Sequence, residues 1–197
     1  MKKPLFFAVI VLLGASFFSG CTSTKLISES DFSPIYITNV KKFYLLPPDC
    51  IESDVEVQQL LTANFGEKTM SLLSYLQADK QGIFLSLFND FGTGMGTLSY
   101  DGMKVNFDSA IFPKNLKAEY ILADLQFAYY SVAELKKALH SIRMKITVDK
   151  GDNPASSEVR RIYNGPFLIE EVIKEPGTIV IHNKLRGYEY TLQEASE

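Results

Sequence analysis

The chain has 197 residues, 46 % of them apolar and 22 % charged, with a formal net charge of −3. That profile excludes a disordered chain, a collagen-like fibre and a multi-pass membrane protein, and it allows one buried core. Without residues 1–20, which carry Lys2 and Lys3 and no acid, 18 basic and 23 acidic side chains give −5. Such an acidic surface lacks the basic stripe that nucleic acid requires.

Residues 5–18 are apolar apart from Gly14 and Ser16, and they follow Met1-Lys2-Lys3. A charged start and a short apolar run predict a signal peptide over 1–20, since a transmembrane helix needs about 20 apolar residues. The run ends in Phe18-Ser19-Gly20-Cys21, which resembles a bacterial lipobox with Phe18 in the usual leucine position. The resemblance implies that Cys21 is lipidated and becomes the mature N-terminus. Three acyl chains there anchor far more firmly than the single chain that binds only marginally. Thr22 stands where an aspartate would hold such a protein in the inner membrane, so the resemblance also implies the outer membrane, periplasmic face. Residues 21–33 are then the lipidated end and a polar tether of at most about 3.5 Å per residue. Residues 34–197 are expected to form one domain. Cys50, after Pro47-Pro48, is left without a disulfide partner and reads as a small apolar loop residue.

Beyond Val55 the apolar residues recur at every second position. Val55, Val57, Leu61, Ala63 and Phe65 share one face. Residues 70–77 and 83–88 are apolar on both faces, which predicts strands covered on both sides. Asp101-Gly102 predicts a two-residue hairpin turn between 98–100 and 103–107. From Pro113 to His140 the spacing is helical, with Ile121, Leu122, Leu125, Ala128 and Tyr129 on one side of a first helix. Ser131 and Glu134 predict a capping box for a second helix, whose apolar positions are Val132, Leu135 and Leu139. Ile142, Met144, Ile146 and Val148 then alternate with Arg143, Lys145, Thr147 and Asp149, as in a strand buried on one face. Further strands are predicted over 159–163, 167–173, 178–182 and 188–192. The chain thus reads as mainly β (α+β). We expect a strongly curved antiparallel sheet, or unclosed β-barrel, of about nine to eleven strands whose concave face the central helices plug.

The chemistry is sparse. There is no G-x-S-x-G, no H-E-x-x-H and no cysteine cluster, and the only histidines are His140 and His182. We therefore expect no catalytic residue, no metal and no cofactor, and read the chain as not an enzyme. Gly92-Thr93-Gly94-Met95-Gly96 precedes a strand and not a helix, so no helix N-terminus faces an anion there. Asp49, Glu52, Asp54 and Glu56 lack the convergence and turn glycine that calcium needs. What remains is an excess of apolar side chains, including 14 Phe and 10 Tyr. Lining a curved sheet, they suit an apolar ligand; filling it, they make a closed core. The expected cavity has Leu122, Leu125, Tyr129 and Leu135 as its lid and Leu73, Leu85 and Ile146 as its wall. Phe91, among polar neighbours in a Gly-rich connection, reads as an apolar finger for the lipid headgroup boundary, with Met95 adding to the contact.

Three stretches carry a family resemblance: residues 97–102 (Thr-Leu-Ser-Tyr-Asp-Gly), residues 120–126 (Tyr-Ile-Leu-Ala-Asp-Leu-Gln), and Asn183 with Gly187-Tyr188. They are similar to an uncharacterised bacterial lipoprotein family whose members often sit near genes for aryl-polyene pigment and fatty-acid-like biosynthesis. That family in turn resembles the outer-membrane lipoprotein receptor LolB and its periplasmic carrier LolA. The likeness implies an unclosed antiparallel β-barrel with helices over its mouth and an apolar cavity for acyl chains. Residues 89–93 resemble a LolB loop, Asn-Pro-Leu-Gly-Ser, which puts Phe91 at the leucine that helps deliver cargo into the membrane and Asp90 at its proline. The implied function is a membrane-anchored lipoprotein that binds or transfers an apolar or acylated ligand, such as lipoprotein acyl chains, lipid or an aryl-polyene-type lipid. A periplasmic carrier protein is the implied partner. The alternative is an accessory envelope lipoprotein that acts through protein–protein contact.

Overall fold

Strict alternation of burial builds the sheet, strand by strand. The computed structural model describes residues 34–111, 117–151 and 157–195. The signal peptide, Cys21 and the tether lie outside the described residues, as does the expected helix start at Pro113. In β3 (Val55–Phe65) Gln59, Leu61 and Ala63 turn inward, and in β4 (Lys68–Asp79) Leu72, Ser74, Leu76 and Ala78 do the same. The first meander continues through β5 (Gly82–Phe88), β6 (Gly94–Tyr100) and β7 (Val105–Ser109). A second runs through β8 (Lys145–Lys150), β9 (Glu158–Asn164), β10 (Phe167–Glu175), β11 (Thr178–Asn183) and β12 (Tyr188–Glu194). The two meet where β12 pairs with β3, Leu192 opposite Leu61 and Tyr190 opposite Ala63. The result is one ten-stranded antiparallel sheet in the order β7-β6-β5-β4-β3-β12-β11-β10-β9-β8.

Between the two meanders run α1 (Ala118–Tyr129) and α2 (Val132–Ser141). Helix α1 touches β7 at one edge of the sheet and β10 near the other. In a flat sheet the seven intervening steps of ~4.8 Å would hold those strands about 34 Å apart, three times a helix diameter. The sheet therefore curls around α1. It does not close, because the chain itself passes between the edges as the two helices. The edges carry exposed charges that discourage further pairing, Asp108 on β7 and Lys145, Asp149 and Lys150 on β8.

The other side of α1 is covered by residues 35–51, including the short hairpin of β1 (Ile35–Tyr36) and β2 (Lys42–Phe43). Phe43 stacks on Phe127 with ring centroids 5.4 Å apart. The Gln126 side chain pairs with Leu46 like a strand, accepting from its N–H at 2.9 Å and donating to its carbonyl at 2.8 Å. Ile51 bridges to Tyr130. Residues 121–130 are consequently all buried, and α1 is a core helix covered on every side.

Four local expectations are corrected. The strands are buried on one face only: Leu73 and Phe84 are exposed on the outside, at 43 % and 40 %. The β6–β7 connection spans four residues, because Asp101 Oδ1 accepts from the N–H groups of Met103 and Lys104 while Gly102 takes φ +89°. The capping box does not form; Ser131 makes no side-chain cap, and Glu134 pairs with Lys137 at 2.6 Å. The strand expected from Ile142 starts at Lys145, since residues 142–144 close α2 in a Schellman turn with Arg143 at φ +58°. There Met144 N–H donates to Leu139 O at 2.8 Å and Arg143 N–H to His140 O at 2.9 Å.

Candidate functional site

The interior under α1 is apolar but not completely filled. An enclosed cavity of ≈ 30 Å³ lies between α1 and the central strands, lined by Leu61, Leu76, Leu85, Ile121, Leu125, Ile181 and Leu192. That is room for about two waters, at the ~10–15 Å³ that one needs. It is a tenth or less of the ~300–1,000 Å³ of ordinary ligand sites. The expected acyl-sized void is thus occupied by α1 itself.

The expected wall and lid residues divide accordingly. Leu85 and Leu125 line the cavity. Leu122, Tyr129, Leu135 and Ile146 are buried in the surrounding core. Leu73 does not belong to the site: it is on the outer face of β4, between inward-facing Leu72 and Ser74. Where both faces of a strand are apolar, a shift of one residue exchanges inside for outside, and here Leu61 opposite Leu72 sets the inward parity.

Three polar side chains share the cavity wall: Gln59, Asp124 and Tyr190, 3 %, 3 % and 6 % exposed. Gln59 Oε1 and the Tyr190 hydroxyl have no hydrogen-bond partner. Each such buried group costs about 1–3 kcal/mol, so a core selected for stability alone would exclude them. Asp124 belongs to a buried cluster. Tyr188 donates to its Oδ2 at 2.7 Å, and Asn183 Nδ2 lies 3.1 Å from the Tyr188 hydroxyl and 3.2 Å from Glu170 Oε2. Asp124 and Glu170 are hydrogen-bonded to each other. No N–H or O–H from elsewhere reaches Glu170 Oε1, so the pair is satisfied only when the two acids share a proton. Burial pushes Asp124 up to about 7, against the opposing hydrogen bonds of Tyr188 and Glu170. Glu170 is raised well above the usual range, first by burial and then by the charge of Asp124.

A β-bulge aims Glu170 inward. The β9–β10 register shifts between Leu168 and Glu170, so that Ile169 and Glu170 are both buried, which a regular strand forbids. Arg186 caps the cluster from outside, its guanidinium 4.1 Å over the Tyr120 ring and hydrogen-bonded to Tyr36 O. Asp124, Asn183 and Tyr188, scattered through the stretches that carry the family resemblance, therefore meet at one point. The lone acid in an apolar helix was the available signal for this cluster; Gln59 and Glu170 gave none.

At the C-terminal end of α1 stands a second cluster. Arg160, fully buried in β9, donates to Phe127 O at 3.1 Å and Tyr130 O at 2.7 Å. It also pairs with Glu52 and Glu158, each at 2.6 Å. It thereby satisfies carbonyls that the helix end leaves open and puts a cation at the negative pole of the helix. Burial alone would raise Glu158, but hydrogen bonds from Lys150 and Arg160 outweigh it and hold that carboxyl at about 2.

Phe91 is 93 % exposed in the β5–β6 connection. The loop is ordered by Asn89, whose Oδ1 accepts from Phe91 N at 3.0 Å and Thr93 N at 2.9 Å, and by Gly92 at φ +74°. Met95 is not beside it in the loop; it is half-buried in β6 against the core. His140 is exposed at the end of α2, and His182 pairs with Glu189 across β11–β12 at 2.6 Å. Cys50 is half-buried, and burial pushes its thiol up to about 11.

No curated protein matches the chain. A family described as a protein of unknown function (DUF3261) matches residues 56–196, from β3 to beyond β12, and the chain belongs to that family.

Proposed function

We propose that the protein is a lipoprotein, anchored through Cys21 at the periplasmic face of the outer membrane, that takes the apolar part of an acylated ligand between α1 and the curled sheet. It does so without covalent chemistry. The observation that carries this reading is the unfinished core under α1: an apolar cavity flanked by two buried polar groups that nothing satisfies. An acyl chain enters only if α1 side chains give way, so the cavity marks where the helix parts from the sheet. Phe91, held out on an ordered loop, supplies the membrane contact from which a ligand passes.

Lipid extraction from the full chain purified out of its own membranes tests the reading. The account expects a co-purifying acylated species, and its loss in Leu125→Phe, which fills the cavity without removing a polar contact. Protein that is free of lipid from the start contradicts it. Phe91→Glu should leave the melting temperature unchanged and weaken vesicle association, since burying one such side chain contributes about 1.5–3 kcal/mol. A lower melting temperature with unchanged association would sink the finger. Cys21→Ala should leave an unprocessed or soluble species; mature protein still fractionating with the outer membrane contradicts the anchor. A second reading, an accessory envelope protein acting through a protein partner, is favoured by the small size of the cavity, and lipid-free protein that captures a defined envelope partner would establish it.

A further inference from the structure

We infer that the ligand taken under α1 carries an uncharged polar head, a carbonyl beside an O–H or N–H group, and not a phosphate or a free carboxylate. The inference rests on the binding reading above and narrows it to a ligand class. Its ground is the wall of the cavity. Tyr190 offers an unused hydroxyl donor and Gln59 an unused carbonyl acceptor, both in side chains more than nine-tenths buried. Together they match a head with one acceptor and one donor, the pattern of an acylglycerol or an acyl amide.

Charge argues in the same direction. No lysine, arginine or histidine lines the cavity. The cations nearest in the fold are engaged: Arg160 by two helix carbonyls and two carboxylates, Arg186 by Tyr120 and Tyr36 O, and Lys174 by Glu158 at 3.7 Å. Asp124, in the wall itself, is backed by Glu170. An anionic head would enter a dry site beside two acids with no countercharge, which is prohibitive. A cationic head would have to break the proton that Asp124 and Glu170 share and the Tyr188–Asp124 hydrogen bond. An uncharged head disturbs neither.

The test uses the full chain held in phosphatidylcholine vesicles by its own anchor. Chain-matched alkyl-diazirine probes are added at equal dose: a monoacylglycerol, an N-acyl ethanolamide, a lysophosphatidic acid and an alkylamine. After irradiation the labelled peptides are mapped. Both uncharged probes should label peptides containing Leu125, Ile181 or Leu192 at least about tenfold over the two charged ones, the ratio expected for one satisfied against one unpaired buried group. Tyr190→Phe should reduce that labelling about three- to tenfold without lowering the melting temperature. Interior labelling by lysophosphatidic acid or alkylamine that equals or exceeds the uncharged probes overturns the head-group inference and leaves acyl-chain binding standing. No interior labelling by any probe overturns both.

Discussion

Helix α1 is held by two buried polar clusters of opposite construction. At its C-terminal end, Arg160 spends four N–H bonds on two carbonyls and two carboxylates. In its middle, Asp124 and Glu170 face each other as acids, with unpaired Gln59 Oε1 and Tyr190 hydroxyl across a small void. The first cluster is complete and resists change. The second is incomplete, and incompleteness inside a core marks a place where something else completes it. The comparison assigns a fixed end and a movable middle to the same helix.

The largest effect should come from breaking the complete cluster. Arg160→Met strips the helix end of its cap and leaves Glu158 without its buried partner. Removing one member of such a pair costs roughly 3–5 kcal/mol, or about 6–20 °C in melting temperature for a chain of this size. Thermal unfolding by circular dichroism measures it. A loss below about 1 kcal/mol would mean that α1 is fixed by apolar packing alone.

The two clusters should also respond to pH in opposite senses. Asp124 ionises at 3.8 in the unfolded chain and near 7 in the folded one, so the folded state keeps a proton that the unfolded state has released. Its contribution is present below 3.8 and lost as pH rises through 7, and Glu170, raised further, extends the loss upward. Glu158 is depressed from 4.5 to about 2, so its contribution is present above 4.5 and lost as pH falls toward 2. Urea midpoints should therefore peak at mildly acidic pH. The groups facing the acid pair are Tyr188, Tyr190, Asn183 and Arg186, none of which titrates in that range. Asp124→Asn with Glu170→Gln should flatten the alkaline decline and leave the acid limb. An unchanged alkaline decline would place its origin elsewhere.

The smallest effect sharpens the comparison from the other side. Tyr190→Phe removes a hydroxyl that nothing satisfies, so stability should rise by up to about 1 kcal/mol. A fall of that size would show that the hydroxyl is already paired, and the middle of α1 would then be as complete as its end.

Strands and turns were legible in the sequence wherever local chemistry decides them. Asn164-Gly165, Pro176-Gly177 and Arg186-Gly187 each place a glycine at positive φ between strands within one or two residues of their expected ends. The order of strands, helices and strands was legible for the same reason, and so was the exposure of Phe91. What local pattern cannot carry is the choice of face and the effect of distant neighbours. Leu73 was misplaced because residues 70–77 are apolar at both parities. Arg160 reads as an ordinary polar strand residue until helix carbonyls 30 and 33 positions away arrive to use it. Glu170 needs the bulge at Leu168 to face inward, and no turn residue announces it. Even α1 reads as one-sided in the helical pattern; it is covered all round only because residues 35–51 fold back over it.

Hydrogen exchange along α1 tests the central claim most directly. The full chain is held on phosphatidylcholine vesicles by its own anchor, with and without added monoacylglycerol, and exchange is followed at the amides of residues 121–130. If the helix parts from the sheet to admit an acyl chain, those amides open well below the free energy of global unfolding. Added monoacylglycerol should then change their rates while β3 and β12 stay unaffected. Amides in α1 that exchange only with the whole sheet, at rates the lipid does not alter, would contradict the account.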